Sequence, residues 1–272
     1  MIKTYDAGGD WCTLTLRHSS PDFNKAVSLC EQMVKEMETT GETIKPGGLQ
    51  GYTGYHVGQL FCGTRNDGML IQGTSGVCKY VEEKVRQSGI EFKATRYDLQ
   101  TTIETSEQDL HYAQRMCAAV ALGTGDGEGE ETRRVVTHQG AGVYSGVVIG
   151  SGVSTSHLRF YDKTLEQRGL IPPNLWRLEV QYRQDKANFV WAMAMRAGRS
   201  YYLACSLVPI EFARVGFDIS WAQVVDGIER PTSYHRTDKE KKLGWLENHV
   251  RSSVFWLKER GYEAEAREAL GL

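Results

Sequence analysis

At 272 residues and 40% hydrophobic content, the chain is long enough for one large domain or a domain with an appendage. Thirty-two basic against 34 acidic residues give a formal net charge of −2, so nothing in the bulk charge demands nucleic acid, and any anion-binding surface must be a local patch. The cysteines show neither a CxxC pair nor a histidine at zinc-ligand spacing, and no run approaches the roughly 18–20 apolar residues of a membrane span. The expectation is a cytoplasmic protein with reduced thiols and no membrane partner.

In chain order, "DWCTLTLR" alternates like a half-buried strand, and Ser20 and Pro21 then open a helix on which Ala26, Val27, Cys30, Met33, Val34 and Met37 recur at helical spacing. The Gly- and Tyr-rich stretch from Gly47 to Gly73 reads as short strands joined by tight turns, with Asn66 to Gly68 as a hairpin connector. Its Gly48–Gly63 part is a candidate sheet edge for a dimer contact or for guiding a DNA strand. A short helix over Val77–Gln87 leads into a long alternating strand, Phe92–Glu104. Ser106 and Asp109 cap a helix to about Leu122, and "GTGDGEGEE" follows as an acidic loop without the GxxxxGK[ST] of a phosphate-binding loop. Strands near Arg133–Gln139, Gly142–Gly150 and His157–Lys163 precede "LWRLEVQYR", Leu175–Arg183. From Lys186 the pattern is mainly helical and ends in an amphipathic stretch over residues 238–260, whose basic residues interleave with Trp245, Phe255 and Trp256. The fold class is therefore α+β: a central, largely antiparallel sheet flanked by helices, with a core over residues 1–235 and a helical C-terminal segment over residues 236–272.

"LWRLEVQYR" sets Trp176, Leu178, Val180 and Tyr182 on one face and Arg177, Glu179, Gln181 and Arg183 on the other. "FKATRYDLQTT" does the same with Arg96, Asp98, Gln100 and Thr102, and "HLRFYDK" with Arg159, Tyr161 and Lys163. If these strands are neighbours, their polar faces converge. Two carboxylates and several cations on a rigid sheet suit a divalent metal and a phosphodiester, because hard oxygens bind Mg²⁺ or Mn²⁺ and guanidinium binds phosphate bidentately. The same pattern also describes an ordinary antiparallel sheet with one solvated face carrying weak surface ion pairs.

"TRYDLQTT", "LRFYDKTLE" and "WRLEVQYR", in this order, resemble the Arg-x-Asp, Arg-x-Tyr-Asp-Lys and Arg-x-Glu motifs of the replication initiation factor (Rep_trans) group of rolling-circle initiators and relaxases. "DWCTLTLR" resembles that group's opening strand, and "LGWLENHVRSSVFWLKERGYEAEAREALGL" a C-terminal helical segment, so the likeness runs from Asp10 to Leu272. It implies nicking of a single strand at a plasmid, phage or mobile-element origin by a tyrosine that becomes joined to the 5′ phosphate. It further implies Asp98 and Glu179, with Glu166, as ligands of Mg²⁺ or Mn²⁺, Lys163 and Arg177 as catalytic cations, and Arg96, Arg159 and Tyr161 as DNA contacts. The partners it implies are single-stranded or hairpin origin DNA, a host helicase and a second copy of the chain.

One segment departs from the pattern. The group carries its nucleophile in Thr-x-Tyr-x-Gly-Ser-Arg just before the Arg-x-Tyr-Asp-Lys strand; here "SGVVIGSGVSTSHLRFYDK" puts Val148 at the tyrosine and Gly152 at the basic residue. Tyr144, four residues upstream and about 13 Å away along an extended strand, is the candidate nucleophile. Two functions stay open: a nickase using Tyr144, and a DNA-binding or regulatory protein on the same scaffold that has lost nicking. His111, His138, His157, His235 and His249 are scattered, without the His-x-His pair of the other large class of nicking enzymes.

Overall fold

The computed structural model describes residues 3–104, 135–140, 144–150, 155–168, 170–198 and 200–214. The helix expected at Ser106–Leu122, the acidic loop, Gly152, His111, His235, His249, residues 238–260 and the boundary at 235/236 lie outside the described residues.

Ten strands form one sheet in the order β2-β3-β4-β5-β1-β6-β10-β9-β8-β7, every neighbouring pair antiparallel. They are β1 (Lys3–Arg17), β2 (Ile44–Leu49), β3 (Tyr52–Val57), β4 (Leu60–Arg65), β5 (Gly68–Thr74), β6 (Lys93–Glu104), β7 (Val135–Gly140), β8 (Tyr144–Ile149), β9 (Ser156–Asp162) and β10 (Leu175–Arg183). The helices are α1 (Phe23–Thr39), α2 (Gly76–Ser88), the single turn α3 (Lys163–Glu166), α4 (Gln184–Ala197) and α5 (Ser200–Ala213). The α+β class and the antiparallel sheet are as the alternation predicts. No described helix is long and apolar enough to cross a membrane.

The Gly- and Tyr-rich stretch folds into the β2–β5 meander. Its Gly54 lets two strands approach closely: a Cβ there would stand 2.0 Å from the Cys62 carbonyl oxygen. The chain leaves β5 through α2 and returns as β6, so that β5 and β6 flank β1 and run parallel to each other.

The helices cover the apolar face. Tyr97, Leu99, Trp176, Leu178, Val180 and Tyr182 from β6 and β10 share one core with Val81 and Val85 of α2, Val190 and Trp191 of α4, and Leu207 and Phe212 of α5. Tyr97 meets Trp191 edge to face at 5.4 Å, and full burial of each such large side chain contributes about 1.5–3 kcal/mol. Because strand side chains alternate, this helix-covered face forces the intervening residues of β6, β9 and β10 onto the opposite side, where the site lies.

Candidate functional site: a buried ionic cluster on the polar sheet face

The three motif-bearing strands are adjacent, with β10 between β6 and β9. In register Glu179 stands across from Gln100 on one side and Arg159 on the other, while Arg177 stands between Thr102 and Tyr161. The face they form is not a solvated surface. Asp98 is 0% exposed and Glu179 1%, and Gln100, Thr102 and Gln181 are buried beside them.

Guanidinium groups hold the carboxylates. Arg96 donates to both Asp98 oxygens, from Nε at 2.9 Å and Nη2 at 2.5 Å, and Gln181 Nε2 adds a bond at 3.3 Å. Arg159 Nη2 donates to Asp98 Oδ2 at 3.2 Å and to Glu179 Oε1, joining the carboxylates through one nitrogen. Two hydrogen-bond lengths, about 6 Å, bound their separation. Tyr161 donates its hydroxyl to Glu179 Oε2 at 3.3 Å.

Arg177 reaches across β6 to β1, donating from Nε to Thr102 Oγ1 at 3.0 Å and from Nη1 to Asp10 Oδ1 at 3.0 Å. Asp10 is a site residue that the motifs do not contain. It is the extra residue of a bulge in β1, where the register passes from Gly9↔Leu99 to Trp11↔Asp98. A bulge re-aims side chains, so both Asp10 and Trp11 reach this face: Trp11 lies under Arg96, whose Cζ is 3.9 Å from the ring centroid. The glycine pair Gly8–Gly9 inside a strand pattern is the sequence signal that could have found the bulge.

Lys163 and Glu166 sit differently from the strand-face expectation. β9 ends at Asp162, whose side chain accepts the Leu165 backbone N–H at 2.8 Å and starts α3. Lys163 therefore opens a helical turn, pairs with Glu166 and approaches the Tyr161 ring at 5.7 Å. Tyr144, at the far end of β8 from Val148, is in register with Gly140. Val148 is in register with Arg159, and Gly146 with Tyr161. A Cβ on Gly146 would lie 2.4 Å from the Phe160 carbonyl oxygen and 2.5 Å from the Tyr161 Cβ. Gly146→Ala is accordingly expected to destabilise by about 1–3 kcal/mol, read as a lower urea midpoint at unchanged slope.

Burial dominates the electrostatics. It pushes the Glu179 carboxyl up to about 8 against the pull of Arg159, and the neighbouring Asp98 and Asp10 charges add to the rise. Burial likewise raises Asp98, despite Arg96 and Arg159. The Tyr161 phenol is raised by burial and then by the Glu179 charge, so it is a poor nucleophile as it stands. Burial lowers His157, and the Arg159 charge lowers it further. Burial would raise Glu166, but hydrogen bonds from Lys163 and Gln167 take it below its ordinary value.

The cluster can therefore be tested as a cation site. Carboxylate oxygens suit Mg²⁺ or Mn²⁺, and a pair that resists ionisation draws positive charge. Asp98 and Glu179 fit a hard cation by this chemistry, although Arg159 already bridges them and Glu166 is held by Lys163. Among the described residues no three His, Cys, Asp or Glu side chains gather as a metal-sized group.

Fold and site together define an α+β protein with a ten-stranded antiparallel sheet and a buried Arg–carboxylate cluster on one face. No protein-family model matches the chain, and no curated protein does. Among solved structures it is similar to a rolling circle replication initiator protein from Geobacillus stearothermophilus, with a TM-score of 0.49 and 17% identity over 72% of this chain and 80% of that one.

Proposed function

We propose that the chain is an origin-DNA-binding protein of the rolling-circle initiator type that holds the sugar-phosphate backbone on the polar face of β6, β10 and β9 and nicks one strand there. The observation that carries this reading is the adjacency of the three motif strands, which gathers Arg96, Asp98, Arg159, Tyr161, Arg177 and Glu179 on one face. Arg96 and Arg159, with side chains 26% and 31% exposed, are the cations of the cluster most open to a phosphate. Asp98 and Glu179, with Glu166 beside Lys163, are the residues that would hold Mg²⁺ or Mn²⁺. Such an ion supplies charge neutralisation for the developing phenolate and phosphorane. Tyr144 is the nucleophile in this reading: its oxygen joins the 5′ phosphate and frees a 3′ hydroxyl.

Val148, in register with Arg159, favours a second reading. An aliphatic residue in register with a cluster arginine suits a protein that binds origin DNA without cutting it. One pair of experiments covers both. Binding to single-stranded and hairpin oligonucleotides is expected to weaken with salt, with a logarithmic slope of about −2 if three phosphates are contacted, and a slope near zero would remove the DNA reading altogether. Incubation of supercoiled origin DNA with Mn²⁺ is expected to give a covalent adduct on denaturing gels that Tyr144→Phe abolishes. Salt-sensitive binding with no adduct assigns the chain to the second reading.

A further inference from the structure

A cavity of about 450 Å³ opens beside the Arg96–Asp98 ion pair, lined among others by Trp11, Thr13, Gln50, Gln72, Arg96 and Gln184. We infer that it is a pocket for one unpaired nucleobase of single-stranded DNA, next to the phosphate held by the cluster. The inference rests on the DNA-binding reading and extends it to a cavity beside the cluster, whose carboxamides lie outside the motifs.

Three features point to a base. First, the cavity presents a preformed aromatic–guanidinium pair: Arg96 Cζ lies over the Trp11 ring, 3.9 Å from its centroid, and the guanidinium is held by its bidentate bond to Asp98. Nucleobases stack on aromatic rings and on guanidinium planes, so a base can extend this pair without prior rearrangement. Second, the wall carries three carboxamides, Gln50, Gln72 and Gln184, each offering a donor and an acceptor, as the edge of a base requires. Gln72 is already oriented: Trp11 Nε1 donates to Thr13 Oγ1 at 3.1 Å, and Thr13 Oγ1 donates to Gln72 Oε1 at 3.3 Å, which leaves the Gln72 amide nitrogen as the donor. Third, among the described residues the lining contains two arginines and no carboxylate, which suits the phosphates flanking a base.

Gln50 comes from the β2–β3 turn and Gln184 from the start of α4, with left-handed φ angles of +52° and +56°. At Gln50 the angle belongs to the two-residue Gln50–Gly51 hairpin, whose central residues both take positive φ; at Gln184 a non-glycine residue kept there costs of order 1–3 kcal/mol. A paired, stacked base of duplex DNA cannot enter such a pocket, so the site selects single strands.

The test is an abasic scan: single-stranded oligonucleotides of about 16 nucleotides, each lacking one base, are titrated by fluorescence anisotropy. For the wild type, loss of the base at one position is expected to weaken binding about tenfold or more, while neighbouring positions matter less. Trp11→Ala is expected to weaken binding of the intact strand by the same factor and to become indifferent to that position, with Trp11→Phe retaining most of the effect. The double variant Gln50→Ala/Gln184→Ala, altered only at exposed positions, is expected to lose part of the same discrimination with its fold intact. Tight binding with no position-dependent loss, or equal losses by Trp11→Ala on intact and abasic strands, overturns the pocket and leaves the DNA-binding reading standing. No binding to any oligonucleotide overturns both.

Discussion

Arg159→Met is expected to cost about 1–3 kcal/mol of folding free energy at pH 9, because removing one partner of a buried ion pair leaves the other charge without compensation except by taking up a proton. Arg159 donates to both Asp98 and Glu179 from one nitrogen, so its loss affects two buried carboxylates. Asp98 retains Arg96 and Gln181; the bond from Tyr161 remains for Glu179. The remedy open to the protein is to keep a proton on Glu179, so the deficit is expected to shrink as pH falls to 5. The double variant Arg159→Met/Glu179→Gln removes charge and counter-charge together, and its deficit is expected to be smaller than the sum of the two single ones. Urea unfolding of the four proteins gives the coupling energy directly. A deficit for Arg159→Met within about 0.5 kcal/mol of zero at pH 9 would mean that the carboxylates have other compensation and that Arg159 is a surface contact.

The parts of this cluster that were legible in the sequence are those that depend on alternation within one strand. Arg96 with Asp98 and Arg177 with Glu179 share faces because side chains two apart in a strand do so wherever the strand ends up. The adjacency of β6, β10 and β9 was not legible, since the pairing of β10 with β6, some 80 residues earlier, is set by how the helices bury the other face. Nor was the burial of the polar face: alternation describes a solvated face and a buried ionic one equally well, and Asp98 at 0% exposure is a three-dimensional fact. Asp10 and Trp11 escaped because a bulge breaks the period-two rule on which the reading depends. Lys163 escaped for a related reason, as Asp162 caps a helical turn and ends the strand one residue earlier than the pattern suggests. The helix expected over Val77–Gln87 is α2, longer by one residue at each end, because a helix with an apolar stripe and the left-handed Gly89 after it marks its own limits.

Glu179→Gln is expected to remove the pH dependence of stability that the buried carboxyl imposes. Burial raises Glu179 from an ordinary 4.5 to about 8 in the folded protein, so between those values the folded state holds a proton that the unfolded state has released. The stability associated with this group is fully present below about pH 4.5, falls as pH rises, and is lost by about pH 8, beyond which there is no further change. The limiting slope is about 1.4 kcal/mol per pH unit, and the whole fall is on the order of 3–5 kcal/mol. Asp98, also raised by burial, contributes a loss of the same sign. Glutamine keeps the shape of the protonated acid and cannot ionise, so the variant should be close to the wild type at pH 5 and more stable at pH 9. The measurement is urea unfolding at pH 5, 7 and 9 in EDTA, which keeps cations off the pair. A wild type as stable at pH 9 as at pH 5, with Glu179→Gln showing no advantage there, would place a fully ionised carboxylate in the cluster. In that case the Arg159 hydrogen bond outweighs burial, and the pair has less need of any further positive charge.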